Sequence, residues 1–114
     1  MKFHFDCVFY YVTDMERAIS FYVGILGLKL TSRDVVTRFD IDGVLFELVP
    51  APNASKIHGG GHARLCLKVD DIHQALKELQ TKGIQTSPVQ EVDNGLLASF
   101  EDPDGNEICL WQYR

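Results

Sequence analysis

Within its 114 residues the chain has no uninterrupted apolar run near the roughly 18 residues that suggest a membrane span. Its opening, Met1-Lys2-Phe3-His4-Phe5-Asp6, is interrupted by Asp6, and the apolar stretch ends at Asp14 with no small-residue cleavage site, so no signal peptide is expected. Basic residues are in deficit: 11 Lys and Arg face 16 Asp and Glu, a net charge of −5. No basic stripe and no interleaving of aromatic with basic residues is present, which argues against nucleic acid and anionic membrane as partners. Cysteine is scarce too. Cys7, Cys66 and Cys109 are odd in number and lack paired spacing, which fits reduced thiols in a cytoplasmic protein better than a disulfide framework. What is present, 46% hydrophobic and 24% charged residues, describes an ordinary soluble globular chain. A single domain of this length buries about two-thirds of its unfolded surface, enough for a core of its own.

The chain repeats itself at about half its length, as a search for internal similarity reveals. Tyr11-Val12-Thr13-Asp14-Met15-Glu16-Arg17-Ala18-Ile19 parallels Lys68-Val69-Asp70-Asp71-Ile72-His73-Gln74-Ala75-Leu76, with Val12, Asp14 and Ala18 matching Val69, Asp71 and Ala75. Each stretch reads as a strand entering a helix. Thr13 with Glu16 has the pattern of a capping box, and Asp70 and Asp71 offer acceptors to the exposed N–H groups of the second helix. Ile72, Ala75, Leu76 and Leu79 fall at i, i+3, i+4 and i+7, one apolar stripe. Gly27 and Gly83 suit left-handed helix ends, and Gly24 inside the first helix implies close packing.

The later parts of the copies match as well. Asp40-Ile41-Asp42-Gly43 before Leu45-Phe46-Glu47-Leu48 parallels Asp102-Pro103-Asp104-Gly105 before Glu107-Ile108-Cys109-Leu110, with type I turn chemistry ahead of a strand. Asn94-Gly95 is a hairpin signal. Strands are expected near 3–12, 28–33, 35–40, 44–49, 63–69, 84–90, 96–101 and 106–112, and helices near 14–26 and 71–82. The chain is therefore an α+β single domain, with module 1 over about 1–50, a linker over 51–61 and module 2 over about 62–114.

A duplicated β-α-β-β-β unit resembles the vicinal oxygen chelate superfamily of glyoxalases, bleomycin-resistance proteins and extradiol dioxygenases. Val12-Thr13-Asp14 leading to Phe21-Tyr22, Leu26-Gly27-Leu28, Val69-Asp70-Asp71 and Asp102-Pro103-Asp104-Gly105-Asn106 are similar to its wording, across essentially the whole chain. These motifs lie at caps and turns, so they specify the fold well and the activity poorly. The resemblance implies a curled, eight-stranded mixed sheet forming a cup, and a homodimer.

Function then depends on which residues face the cup. Period-two alternation, with Val8, Tyr10 and Val12 set against helix, points Phe5, Cys7, Phe9 and Tyr11 to the cup. The same logic adds Arg64, Cys66 and Lys68, then Leu45, Glu47 and Val49, and Glu107, Cys109 and Trp111. Metal-carrying relatives use four His, Gln or Glu positions, and the resemblance places them at Cys7, Glu47, Arg64 and Cys109. Only Glu47 matches. Arg64 has no lone pair to give a cation, and is expected to pair with Glu47.

The candidate ligand-binding set is Phe5, Cys7, Phe9, Tyr11, Glu47, Arg64, Lys68, Glu107, Cys109 and Trp111, aromatics with a few charges among them. The leading expectation is a metal-independent binding protein sequestering a planar or acidic compound, as bleomycin-resistance relatives do. The alternative is a lyase, isomerase or dioxygenase with a divalent metal (Ni, Zn, Mn or Fe) held by Glu47, His62, Cys7 and Cys109. Cys7 and Cys109 as a soft-metal thiolate pair are weighed against two small buried hydrophobes, and the latter is preferred. His58 and His62 flank Gly59-Gly60-Gly61, which disfavours a helical metal pair. With no G-x-S-x-G motif, His58-Gly59-Gly60-Gly61 is not an esterase oxyanion element.

Overall fold

The computed structural model describes residues 1–2, 4–51, 64–92 and 94–114. Most of the expected linker, with His58, lies outside them, as does His62 at the start of module 2. The chain divides into two compact units, Met1–Ile57 and His58–Arg114.

Module 1 runs β1 (Val8–Val12), α1 (Met15–Ile19) continued by a wider π-type segment (Ser20–Ile25), β2 (Lys29–Arg33), β3 (Thr37–Ile41) and β4 (Val44–Pro50). Module 2 repeats the plan with β5 (Leu65–Lys68), α2 (Ile72–Thr81), β6 (Gln90–Val92), β7 (Gly95–Glu101) and β8 (Glu107–Tyr113). The sheet orders correspond, β1-β4-β3-β2 and β5-β8-β7-β6. In both, the first strand pairs parallel with the last, and the other pairs are antiparallel. The duplication read from the sequence is a duplication of topology.

Each sheet buries one face under its own helix. In module 1, Ala18, Phe21 and Tyr22 are buried with Val12, Phe39, Phe46 and Leu48. The Tyr22 ring lies 5.3 Å from that of Phe46 and 6.0 Å from that of Phe39. In module 2, Ile72, Leu76 and Leu79 of the helix stripe are buried, as are Leu65, Ala98, Phe100, Ile108 and Leu110 of the sheet. Each of the larger apolar side chains among them contributes about 1.5–3 kcal/mol by leaving water.

Several local expectations change. The cap of α1 is Asp14, which accepts from the Arg17 N–H at 3.1 Å, while Glu16 is taken by Arg33. Thr13 and Glu16 therefore form no capping box. Asp71 caps α2 in the same way, accepting from Gln74 N–H at 3.1 Å. Gly24 faces open space, so close packing does not explain it. The β3–β4 loop is Asp42-Gly43 with φ of 54° and 88°, a primed two-residue hairpin rather than a type I turn. The strand expected over 84–90 is regular only over Gln90–Val92. Pro88 has no N–H to give a ladder, and Ser87 substitutes by bonding Ser99 through both its N–H and its hydroxyl, each at 2.8 Å. Among the described residues no helix is long and apolar enough to cross a membrane.

Candidate binding site

Opposite each helix, the sheet presents a face that no helix of its own module covers. On module 2 the parallel register of β5 and β8 orders this face in three steps. Arg64 Nε donates to Glu107 Oε2 at 2.9 Å, Cys66 stands beside Cys109, and Lys68 stands beside Trp111. Across β8 lies β7, with Ser99 opposite Cys109 and Leu97 opposite Trp111. Trp111 has a built seat. A Cβ on Gly95 would come within 2.6 Å of its Cη2 and 2.7 Å of the Gln112 carbonyl oxygen, so only glycine lets the indole lie there. Tyr113 meets the indole edge-on, with ring centroids 5.5 Å apart. A cavity of about 590 Å³ opens in this module, lined by residues of the 83–87 connection with Ser99, Glu101, Asp102 and Glu107. Of the candidate residues, it takes in Glu107.

Its floor is held by the β7–β8 turn. The Asp102 carboxylate, buried, accepts from the backbone N–H groups of Asp104 and Asn106 and from the Asn106 amide, each at 2.8 Å. That short polar cage fixes where Glu107 enters β8.

On module 1 the equivalent face carries Cys7, Phe9, Tyr11 and Glu47. Phe9 is in register with Glu47, and its ring meets that of Tyr11 edge-on at 5.3 Å. Both rings are substantially exposed, at 46% and 41%, and Phe5 lies before the strand at 71%. Glu47 is the centre of a polar network. The Cys7 thiol donates to its Oε1 at 3.4 Å and Arg38 Nε to its Oε2 at 3.0 Å, while Arg38 Nη1 reaches Asp34 at 3.2 Å. Burial, and then the Glu47 carboxylate, pushes the Cys7 thiol up to about 11. The Val36 N–H, and then Arg38, hold Asp34 below the usual carboxylate range.

Alternation therefore fixes the faces of β1, β4, β5 and β8, but not the partners. Glu47 and Arg64 each find an ionic partner within their own module, Arg38 and Glu107. Arg38, outside the candidate set, alternates with buried Thr37 and Phe39 and so shares Glu47's face. The structure also sets Cys66 directly across from Cys109, a neighbour the sequence reading did not connect. Among the described residues, no three or more His, Cys, Asp or Glu side chains are grouped to hold a metal ion. His62 lies outside those residues.

Two four-stranded mixed sheets from a repeated β-α-β-β-β unit, each with a helix-free face, define a protein with the glyoxalase/bleomycin-resistance fold. The chain belongs to the Glyoxalase/Bleomycin resistance protein/Dioxygenase superfamily, whose family model matches residues 4–110. It is similar to TnmS3, an antibiotic binding protein from Streptomyces sp. CB03234, at 27% identity over 100% of both chains with a TM-score of 0.78. A glyoxalase/bleomycin resistance protein from the same strain is 28% identical over 92% of this chain and 98% of that one, with a TM-score of 0.70. The fosfomycin resistance protein FosX from Mesorhizobium loti shares the fold at 16% identity, over 100% of this chain and 95% of that one, with a TM-score of 0.76.

Proposed function

We propose that this protein binds a planar, acidic small molecule without the help of a divalent metal, as a homodimer in the cytoplasm. The observation that carries this reading is the register of Lys68 beside Trp111 on the helix-free face of module 2. An indole seated over Gly95 offers a flat apolar surface to an aromatic ligand, and an ammonium one strand away offers a charge to its carboxylate or phenolate. Arg64 is less suited to that second task, because Glu107 already holds its guanidinium. The likeness to an antibiotic binding protein over the full length of both chains supports a binding role.

The enzyme reading needs a divalent cation at the four positions used by metal-carrying relatives, and the residues there do not fit one. Arg64 has no lone pair and repels a cation. Glu47 is engaged by Arg38 and by the Cys7 thiol, and that thiol keeps its proton far above neutrality. Cys109 is a soft donor whose neighbour on β5 is the Cys66 thiol, not an oxygen or imidazole. No step is derived through a metal.

Trp111 is the chain's one tryptophan, so its emission reports directly on the proposed contact. Titration with planar aromatic carboxylates is expected to quench it saturably. Lys68→Met is expected to weaken acidic ligands by about tenfold while leaving their neutral amides unchanged. Quenching that never saturates, or acids and amides equally indifferent to Lys68, would sink the proposal.

A further inference from the structure

Cys66 and Cys109 stand side by side in the parallel β5–β8 register, on the helix-free face of module 2. Their spacing is decided by the sheet. In-register side chains on neighbouring strands project in parallel from backbones about 4.8 Å apart. A disulfide would draw the Cβ atoms in to about 3.8 Å, a modest approach, since Cα separations of about 4.4–6.8 Å are bridged. By contrast, an ion bound linearly between two sulfurs at about 2.3 Å each spans about 4.6 Å, close to the strand spacing.

We propose that Cys66 and Cys109 form a two-sulfur site for one soft monovalent cation of the copper(I) class. Binding breaks two S–H bonds and forms two metal–sulfur bonds. Both protons leave to solvent, and no electron is transferred. The product carries one net negative charge, which Lys68, two residues along β5 from Cys66, is placed to offset, with Arg64, just before β5 and already paired with Glu107, adding less. The same two cations disfavour a hard divalent ion, and thiolate sulfur is a soft donor. Burial raises both thiols, and at Cys109 the neighbouring Cys66 adds to that effect. Both therefore stay protonated at neutral pH, slow towards ordinary electrophiles but open to displacement of the proton by a thiophilic ion. The site shares Lys68 with the planar-ligand reading, which uses the next step along the same strands, but its test reads Cys66 and Cys109, which that reading does not use.

The test is an anaerobic titration of the reduced full chain with copper(I) held by a competing chelator. One ion per chain is expected, with sulfur-to-metal charge-transfer absorption in the near ultraviolet. Cys66→Ser and Cys109→Ser are each expected to weaken binding by at least about a hundredfold, since either loss removes the chelate. Cys7→Ser is expected to retain the full equivalent. Circular dichroism and thermal unfolding confirm that each variant is folded. Binding undiminished in Cys66→Ser, or lost in Cys7→Ser, overturns the proposal.

Discussion

A thiol that donates to a carboxylate behaves unlike an exposed one, and Cys7 is the clearest case in this chain. With its ionisation moved from 9.0 to about 11, its thiolate fraction near neutrality falls to about a hundredth of the ordinary value. Alkylation by iodoacetamide at pH 7.5 is expected to be slower than for a free thiol by a similar factor, and faster in Glu47→Gln than in the native chain. The raised value also has a thermodynamic consequence. Below pH 9 the thiol is protonated whether the chain is folded or not, so the neutral side chain's contribution is fully present. As pH rises towards 11 only the unfolded thiol ionises, and stability is lost across that window. Urea unfolding at pH 8 and pH 10.5 checks this, since Cys7→Ser should lose less between the two than the native chain. Gly95 is the second residue with a sharp consequence. In Gly95→Ala the methyl group meets Trp111 and a backbone carbonyl that cannot swing away, so a loss of about 1–3 kcal/mol is expected together with a shifted Trp111 emission.

Elements in this protein are fixed by their ends as much as by their stripes. Asp14 and Asp71 cap equivalent helices through the same contact three residues on, so a repeat in the sequence becomes a repeat in hydrogen bonding. The two hairpin turns differ although their sequences look alike. Asp42-Gly43 takes positive φ at both positions, whereas of the matching Asp104-Gly105 only the glycine does, and Asp102 instead gathers three donors around one carboxylate. Asp102→Ala is expected to cost about 2–3 kcal/mol in chemical denaturation, because those donors are left buried without an acceptor. Phe46→Ala should cost more, about 3–5 kcal/mol, since its ring fills the centre of module 1 against Tyr10, Tyr22 and Phe39. The boundaries of the helices and of six strands were readable from caps, glycines and alternation, while a seventh, β1, begins only at Val8 instead of near residue 3. The eighth, before β7, was misplaced because a proline and a serine hydroxyl replaced ladder bonds that the apolar pattern alone cannot distinguish.

At the scale of the molecule, the two modules share one topology and use it differently. Module 1 offers an acid held by an arginine and a thiol, while module 2 offers paired thiols, an aromatic seat and a lysine. Large apolar side chains remain exposed on the helix-free strands, among them Phe9, Tyr11 and Tyr113. Self-association is the outcome expected for such a surface. Sedimentation equilibrium should return twice the chain mass of 12.9 kDa at micromolar concentration, and a monomer there would remove the homodimer from the proposed function.

The sequence by itself determined the duplication, the order of elements, an aspartate cap for α2 and the face on which nearly every candidate residue stands. These follow from local chemistry and from the period of strand and helix, which a linear chain displays openly. Only the tertiary structure decided who stands beside whom. Arg38 with Glu47, Arg64 with Glu107, Cys66 with Cys109 and Lys68 with Trp111 are neighbours across strands 9 to 43 residues apart in the chain. That adjacency is set by lateral register, and a slip of a single residue would turn every one of these side chains to the other face. Alternation reveals the face, but hydrogen bonding between distant strands selects the partner, and the chemistry of the site lies in the partners.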